Sequence, residues 1–232
     1  MIRASIKALT PYTPGEQPGP GVIKLNTNEN PYPPSPRVAE ALRAADPASL
    51  RLYPDPVSSG LRKQIAGLHG CAPEQVFIGN GSDEVLALCV RAFVPEGGAV
   101  GYFEPSYSLY PVLAAIEDVP VRPVPLPPDF SWTMPAGYAA SLFFLTNPNA
   151  PTSRLFPRAA VEAFARGFPG VVLVDEAYVD FAGATCLDLA LQWPNVLVAR
   201  TLSKSYSLAG LRLGYAVGPA PLIEALHKIK DS

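Results

Sequence analysis

The sequence has no apolar run long enough to cross a membrane. Its longest, such as Leu142 to Leu145 and Val171 to Val174, fall far short of the ~20 residues that a helical span requires. Charge is sparse: 18 Lys+Arg stand against 20 Asp+Glu, 16% of 232 residues, for a net charge of -2. With both signs interspersed there is no basic face for nucleic acid and no acidic tail, so small molecules become the expected partners. Cysteine is limited to Cys71, Cys89 and Cys186, an odd number without CxxC spacing, which argues against a disulfide framework and a zinc knuckle. Buried, reduced thiols in the cytoplasm are the expectation. The two histidines, His69 and His227, lie near no second ligand at useful spacing, so metal chemistry is not indicated. No GxGxxG follows the first predicted strand, which removes a dinucleotide fold. Arg3 and Lys7 precede no apolar core, because Pro11, Pro14, Gly15 and Pro18 interrupt it, and no secretory leader is predicted.

What the chain does have is 48% hydrophobic residues, 28 Pro and 18 Gly, enough apolar side chain for a real core. Its length falls between one domain and one and a half. From Thr10 to Pro36, Pro, Gly and Asn dominate without periodicity, which predicts an extended N-terminal arm over residues 1–34 and a folded domain over 35–232. Ser35-Pro36 starts a helix, and a second, Ser58 to Leu68, stops at Gly70. Short apolar runs then alternate with amphipathic stretches, the pattern of βαβ units in a mostly parallel sheet. Seven strands are predicted: Val76 to Ile78, Ala99 to Tyr102, Val119 to Val124, Leu142 to Thr146, Val171 to Val174, Val196 to Arg200 and Leu213 to Val217. Helices are predicted over Asp83 to Phe93, Ser106 to Ile116 with Pro111 kinking or starting it, Pro157 to Phe168 and Pro221 to Lys230. The fold class is therefore α/β, a mostly parallel seven-stranded sheet flanked by helices.

Ligands of such sheets collect at the carboxyl ends of the strands, so the residues after each strand carry the functional information. After Ile78, Gly79-Asn80-Gly81-Ser82-Asp83-Glu84 opens a helix whose free N–H groups suit an anion, although such turns also start helices for purely structural reasons. After Tyr102 come Glu104-Pro105-Ser106-Tyr107, an aromatic ring that is either at the rim or in the core. Asp175-Glu176 ends an apolar strand, where a carboxylate must be paired, hydrated or functional. After Arg200 comes Ser203-Lys204-Ser205, with Arg212 eight positions beyond the lysine. An anion cup (Ser82, Asp83, Ser203, Arg212), an acid, an aromatic plate and a lysine able to bond an aldehyde carbon are the parts a pyridoxal phosphate site needs.

These residues resemble a known family. Ser203 to Tyr215, SKSYSLAGLRLGY, is similar to the cofactor-lysine signature of fold-type I aminotransferases. Together with Val174 to Phe181, Gly79 to Glu84, Leu52-Tyr53-Pro54-Asp55-Pro56 and Leu25 to Pro31, it resembles the histidinol-phosphate aminotransferases from about Leu9 onward. The resemblance implies pyridoxal 5'-phosphate held covalently by Lys204, with Asp175 at its ring nitrogen, Tyr178 at its phenolic oxygen and Tyr107 stacked on the ring. The amides of Ser82 and Asp83 and the side chains of Ser203 and Arg212 would hold its phosphate. Tyr53 would reach the cofactor of the other subunit of a homodimer, and Tyr12 and Asn28-Glu29 would lie near the substrate. The implied reaction moves an amino group from L-histidinol phosphate to 2-oxoglutarate, in histidine biosynthesis. The alternatives are an aromatic aminotransferase, a threonine-phosphate decarboxylase, or a cofactor-binding remnant without turnover.

The chain departs from the family pattern twice. Where the family commonly has Asn-Pro-Asn-Asn-Pro-Thr-Gly, the segment here is Asn147-Pro148-Asn149-Ala150-Pro151-Thr152-Ser153. Ala150 cannot bond the phenolic oxygen, so either Asn149 or Tyr178 alone compensates, or the oxygen is held less firmly. The family also continues past the position of Ser232 into a C-terminal lobe with substrate-binding arginines, which predicts that the small domain is absent from this chain.

Overall fold

The computed structural model describes residues 1–12 and 15–231; Thr13 and Pro14 of the predicted arm and Ser232 of the predicted domain lie outside the described residues. In chain order the helices are α1 (Ala4–Ala8), α2 (Pro36–Ala44), α3 (Ser59–His69), α4 (Ser82–Phe93), α5 (Leu109–Ile116), α6 (Arg158–Gly167), α7 (Leu187–Gln192) and α8 (Ala220–Ile229). The strands are β1 (Val76–Asn80), β2 (Val100–Glu104), β3 (Val121–Pro125), β4 (Leu142–Thr146), β5 (Val171–Asp175), β6 (Val196–Thr201) and β7 (Leu213–Val217). They form one sheet in the order β1-β7-β6-β5-β4-β2-β3. β7 alone runs antiparallel to its neighbours β1 and β6, and every other pairing is parallel.

Alternation along the strands divides the core between the two faces. In β4, Leu142 and Phe144 pack on one side with Phe77, Leu86, Tyr110 and Ile223, so that face is covered by α4, α5 and α8. Phe143 and Leu145 point the other way, onto Val161 of α6 and Leu189 of α7. All five residues of β4 are buried, as expected of a central parallel strand covered on both faces. β3 is the opposite case, an edge strand with four of its five residues exposed and prolines at 123 and 125 that cannot extend the ladder.

All seven predicted strands are present, with their ends moved by no more than two residues. The largest helix correction is α5, which starts at Leu109 rather than Ser106. Pro111 therefore falls in its first turn, where a missing N–H costs nothing, and Ser106 to Ser108 remain loop. The arm holds one short helix, α1, and is irregular from there to Pro36 among the described residues. Gly70 ends α3 in the left-handed conformation, φ 65°, as its glycine predicted.

Candidate active site

Because β1, β2, β4, β5 and β6 run one way, their carboxyl ends share a rim; because β7 runs the other way, Arg212, just before it, reaches the same rim. Asp175 is the last residue of β5 and only 3% exposed. Its Oδ1 accepts from the Ala177 N–H at 3.1 Å and its Oδ2 from the Tyr110 hydroxyl at 2.9 Å. Burial pushes its carboxyl up to about 6, against the donors Tyr110 and Ala177, with Asp83 and Glu176 adding to the rise.

Lys204 lies in the turn after β6. Its Nζ donates to the Thr27 carbonyl at 2.8 Å and sits 5.7 Å from the centre of the Tyr178 ring. Burial lowers its proton affinity, opposed by the Asp83 and Glu29 carboxylates. The arm is therefore part of the site. Asn30 Nδ2 donates to the Lys204 and Ser205 carbonyls at 3.2 and 3.3 Å, and Asn28 Nδ2 donates to Tyr178 Oη at 3.0 Å.

The anion cup is built on backbone. Gly81 caps α4 at φ 85°, a conformation that favours glycine, and leaves the first-turn amides of Ser82 and Asp83 facing the rim. A Cβ on Gly81 would run into the Arg212 guanidinium, and one on Gly214 into the Ser82 amide nitrogen. Arg212 itself is left-handed, φ 52°, and its Nη2 lies 3.5 Å from Asp83 Oδ2. Ser203 is buried beside Thr201, whose hydroxyl donates to its Oγ at 3.0 Å. Tyr107 donates to Asp83 Oδ1 at 3.3 Å and makes edge contacts with Tyr12 and Tyr110. Tyr53 stands apart, 97% exposed, sharing no hydrogen bond or ring contact with these groups.

The Asn149 amide is fully engaged elsewhere: Oδ1 accepts from Ser106 at 2.9 Å, and Nδ2 donates to the Pro105 carbonyl and Thr152 Oγ1. It is tied into its own loop, beside a cavity of about 740 Å³ lined by Asn28, Ala150, Leu155, Tyr178 and Phe181. Sequence reasoning missed Tyr110 and Thr146, whose hydroxyls meet at 2.6 Å beneath Asp175. The available signals were a tyrosine three residues after Tyr107, in the first turn of α5, and a threonine ending an apolar strand. It also missed the partner of Glu176, whose fully buried carboxylate is held by Arg200 at 2.8 Å, the Thr185 hydroxyl and the Cys186 amide. That pairing answers why a second acid ends β5 and keeps its charge compensated.

This sheet with this rim defines the class of protein. The chain belongs to the class I and II aminotransferase family, whose match covers residues 20–232. Within it, the chain is similar to the histidinol-phosphate aminotransferases. It is 50% identical to histidinol-phosphate aminotransferase 2 of Thiobacillus denitrificans over 236 residues, 99% of this chain and 65% of that one. It is likewise 50% identical to the histidinol-phosphate aminotransferase of Geobacter sulfurreducens, over 99% of this chain and 67% of that one. Among solved structures, the Sinorhizobium meliloti histidinol-phosphate aminotransferase in complex with pyridoxal 5'-phosphate matches with a TM-score of 0.78 at 29% identity, over 88% of this chain and 58% of that one. The chain thus spans about two thirds of the length of the curated relatives it matches.

Proposed function

We propose that the protein is a pyridoxal phosphate-dependent transaminase that moves an amino group from L-histidinol phosphate to 2-oxoglutarate. The observation that carries this reading is the meeting, on one rim, of a desolvated lysine, a buried carboxylate and a glycine-built anion cup.

The residues fit the cofactor. Its phosphate suits the Ser82 and Asp83 amides, the Ser203 hydroxyl and Arg212, in a cup whose close packing a side chain at 81 or 214 would disturb by running into Arg212 or the Ser82 amide. Asp175, with Oδ1 and Oδ2 already oriented by Ala177 and Tyr110, accepts from a protonated ring nitrogen and holds that proton in place. Tyr107 supplies the plate for the ring. Tyr178 holds the phenolic oxygen without help from position 150, because its hydroxyl still has its own proton to donate when Asn28 donates to it. Bound at its aldehyde carbon, the cofactor supplies an electron sink that acidifies the substrate's α C–H. Lys204 Nζ accepts and returns the proton at that carbon, and its burial enlarges the neutral fraction able to do so.

Residues 1–34 serve as the arm and 35–232 as the cofactor domain. The protein works as a cytoplasmic homodimer, a reading consistent with the exposed apolar side chains Leu25, Leu42, Leu50 and Leu52, in which the exposed Tyr53 reaches the second subunit's cofactor. No helix among the described residues is long and apolar enough to cross a membrane.

The test adds L-histidinol phosphate to the purified, cofactor-loaded protein and follows the visible spectrum. The band shifts to the aminated form, glutamate appears only when 2-oxoglutarate follows, and the kinetics are ping-pong. A shift with phenylalanine or threonine phosphate but not histidinol phosphate assigns the related enzyme instead; a band that no amine moves assigns a remnant.

The cradle makes a separate prediction. Gly214→Ala puts a methyl against backbone at Ser82, which cannot yield as a flexible side chain would. Affinity for pyridoxal phosphate, measured by fluorescence titration, falls about tenfold or more, with a stability loss on the order of 1–3 kcal/mol from overpacking. An unchanged affinity places the phosphate elsewhere.

A further inference from the structure

We propose that Tyr110, Thr146 and Ser106 are positioning residues for Asp175, acting as one hydrogen-bonded row whose direction is set by whether Asp175 carries a proton. The inference rests on the reading of Asp175 as the partner of the cofactor's ring nitrogen, but its test does not.

The row runs from Asp175 Oδ2 to Tyr110 Oη (2.9 Å), Thr146 Oγ1 (2.6 Å), Ser106 Oγ (2.8 Å) and Asn149 Oδ1 (2.9 Å). It crosses three elements and two loops, joining the end of β5 to α5, to the end of β4, to the loop before α5 that carries Ser106 and to the segment carrying Ala150. Its far end is fixed as an acceptor. Asn149 Nδ2 faces the Pro105 carbonyl, which can only accept, so the amide oxygen must face Ser106. Asp175, Tyr110, Thr146 and Asn149 are all at most 3% exposed, so at those four positions little solvent is available to make up a missing bond.

Counting protons decides how the row behaves. There are four contacts, and each of the three hydroxyls brings one proton. When Asp175 is protonated, a fourth proton is available: Asp175 donates to Tyr110, Tyr110 to Thr146, Thr146 to Ser106 and Ser106 to Asn149, and every contact is filled. When Asp175 is ionised, Tyr110 turns to donate to it, Thr146 donates to Tyr110, and Ser106 stays on Asn149. The 2.8 Å contact between Thr146 and Ser106 then holds facing lone pairs and no proton.

The row therefore exerts two opposed influences on one carboxylate. Tyr110 favours the ionised form as a donor to a charged acceptor, a stronger bond than the neutral one it replaces. Ser106, anchored on Asn149, disfavours it by leaving a contact empty. The charged groups acting on Asp175 from the elements around it are Asp83 on α4 and Glu176 next in the chain, both negative, with Arg200 compensating Glu176. Neither acid belongs to the row, so changes within the row are separable from theirs.

The experiment is a carboxyl 13C NMR titration of the full chain after removal of cofactor, with the Asp175 resonance assigned by its loss in Asp175→Asn and folding checked by circular dichroism. Tyr110→Phe raises the Asp175 midpoint, about a tenfold gain in proton affinity. Ser106→Ala lowers it, about threefold or more, because the shortened row has two contacts and two hydroxyl protons of its own, so ionising Asp175 no longer leaves a contact empty. Thr146→Val cuts the row at the same side and also lowers it, which keeps the test decisive if one variant fails to fold. Thr146→Ser keeps the hydroxyl and leaves the midpoint in place. A merely structural role predicts no such division of signs. The proposal is overturned if Ser106→Ala and Thr146→Val leave the midpoint unmoved or move it in the direction of Tyr110→Phe, or if Thr146→Ser moves it as far as Thr146→Val. A chain that never binds pyridoxal phosphate sinks the transaminase reading and leaves this measurement fully usable.

Discussion

Lys204→Ala is expected to remove amino transfer, lowering kcat/KM by about 10⁴-fold or more, because one nitrogen performs both tasks the chemistry asks of the protein. On the proposed reading it is both the nucleophile that bonds the cofactor and the base that moves the proton at the substrate carbon; general base catalysis alone contributes roughly 10²–10⁴. The geometry supports both roles. Nζ donates to the Thr27 carbonyl and faces the Tyr178 ring, and among the described residues no carboxylate stands at ion-pair distance to lock it in the charged form. Desolvation lowers its proton affinity further, against the more distant pull of Asp83 and Glu29. Borohydride reduction followed by peptide mass analysis should place the cofactor on the peptide containing Lys204 in the wild type and nowhere in the variant. Lys204→Arg keeps a positive charge yet cannot perform either task, so it should fail as completely as alanine. Substantial turnover in either variant, or cofactor attached to another lysine, would sink the assignment.

How much of this was legible in the sequence depended on whether a residue's partners were near it in the chain. Most strands of this sheet are short apolar runs bounded by Gly, Pro or polar residues, so period and punctuation located all seven, the Pro-rich edge strand β3 among them. The end of Ser106 to Ile116 was legible but its beginning was not. Pro111 fits either a kink or a first turn, and only packing of Leu109 and Tyr110 into the core decides for the latter. Helices α1 and α7, of five and six residues, are too short for a periodic pattern to emerge. The rim acids and Lys204 were legible because strand ends in a parallel sheet collect ligands, and a charge after an apolar strand is conspicuous. Tyr110 and Thr146 were not, because a hydroxyl on an otherwise apolar element reads as core. Their function exists only through a contact 36 residues apart in sequence. The same holds for Thr27, whose backbone carbonyl meets Lys204 across 177 residues and carries no side-chain signal at all. Ala150 was the instructive departure. The sequence left Asn149, Tyr178 or a less firmly held oxygen open, and the geometry, with the whole Asn149 amide engaged in its loop, speaks against Asn149.

Asp175→Asn is expected to move stability and activity in opposite directions. In the cofactor-free chain the Asp175 carboxyl lies at about 6, above an unfolded value near 3.8, because burial penalises its charge more than Tyr110 and Ala177 favour it. A carboxyl raised by folding contributes stability that is fully present below the unfolded value and is lost as pH rises through the folded one. The wild type should therefore lose up to roughly 3 kcal/mol from this group between about pH 4 and pH 6, at 1.36 kcal/mol per unit. Asparagine keeps the shape and cannot ionise. Urea titrations should show that decline flattened in Asp175→Asn, leaving the variant the more stable protein at pH 7 when both lack cofactor. Activity should fall by about 10³-fold, since asparagine offers no charge to hold a proton on the ring nitrogen, and a preorganised electrostatic partner of this kind contributes roughly 10²–10³ or more. The pairing of results is what makes the test sharp. A variant destabilised at pH 7 would mean that Asp175 is held there for packing. A stabilised variant with full activity would mean that the acid is buried for neither packing nor chemistry. Stability gained together with activity lost is the signature of a carboxylate kept in an unfavourable place because the reaction needs its charge.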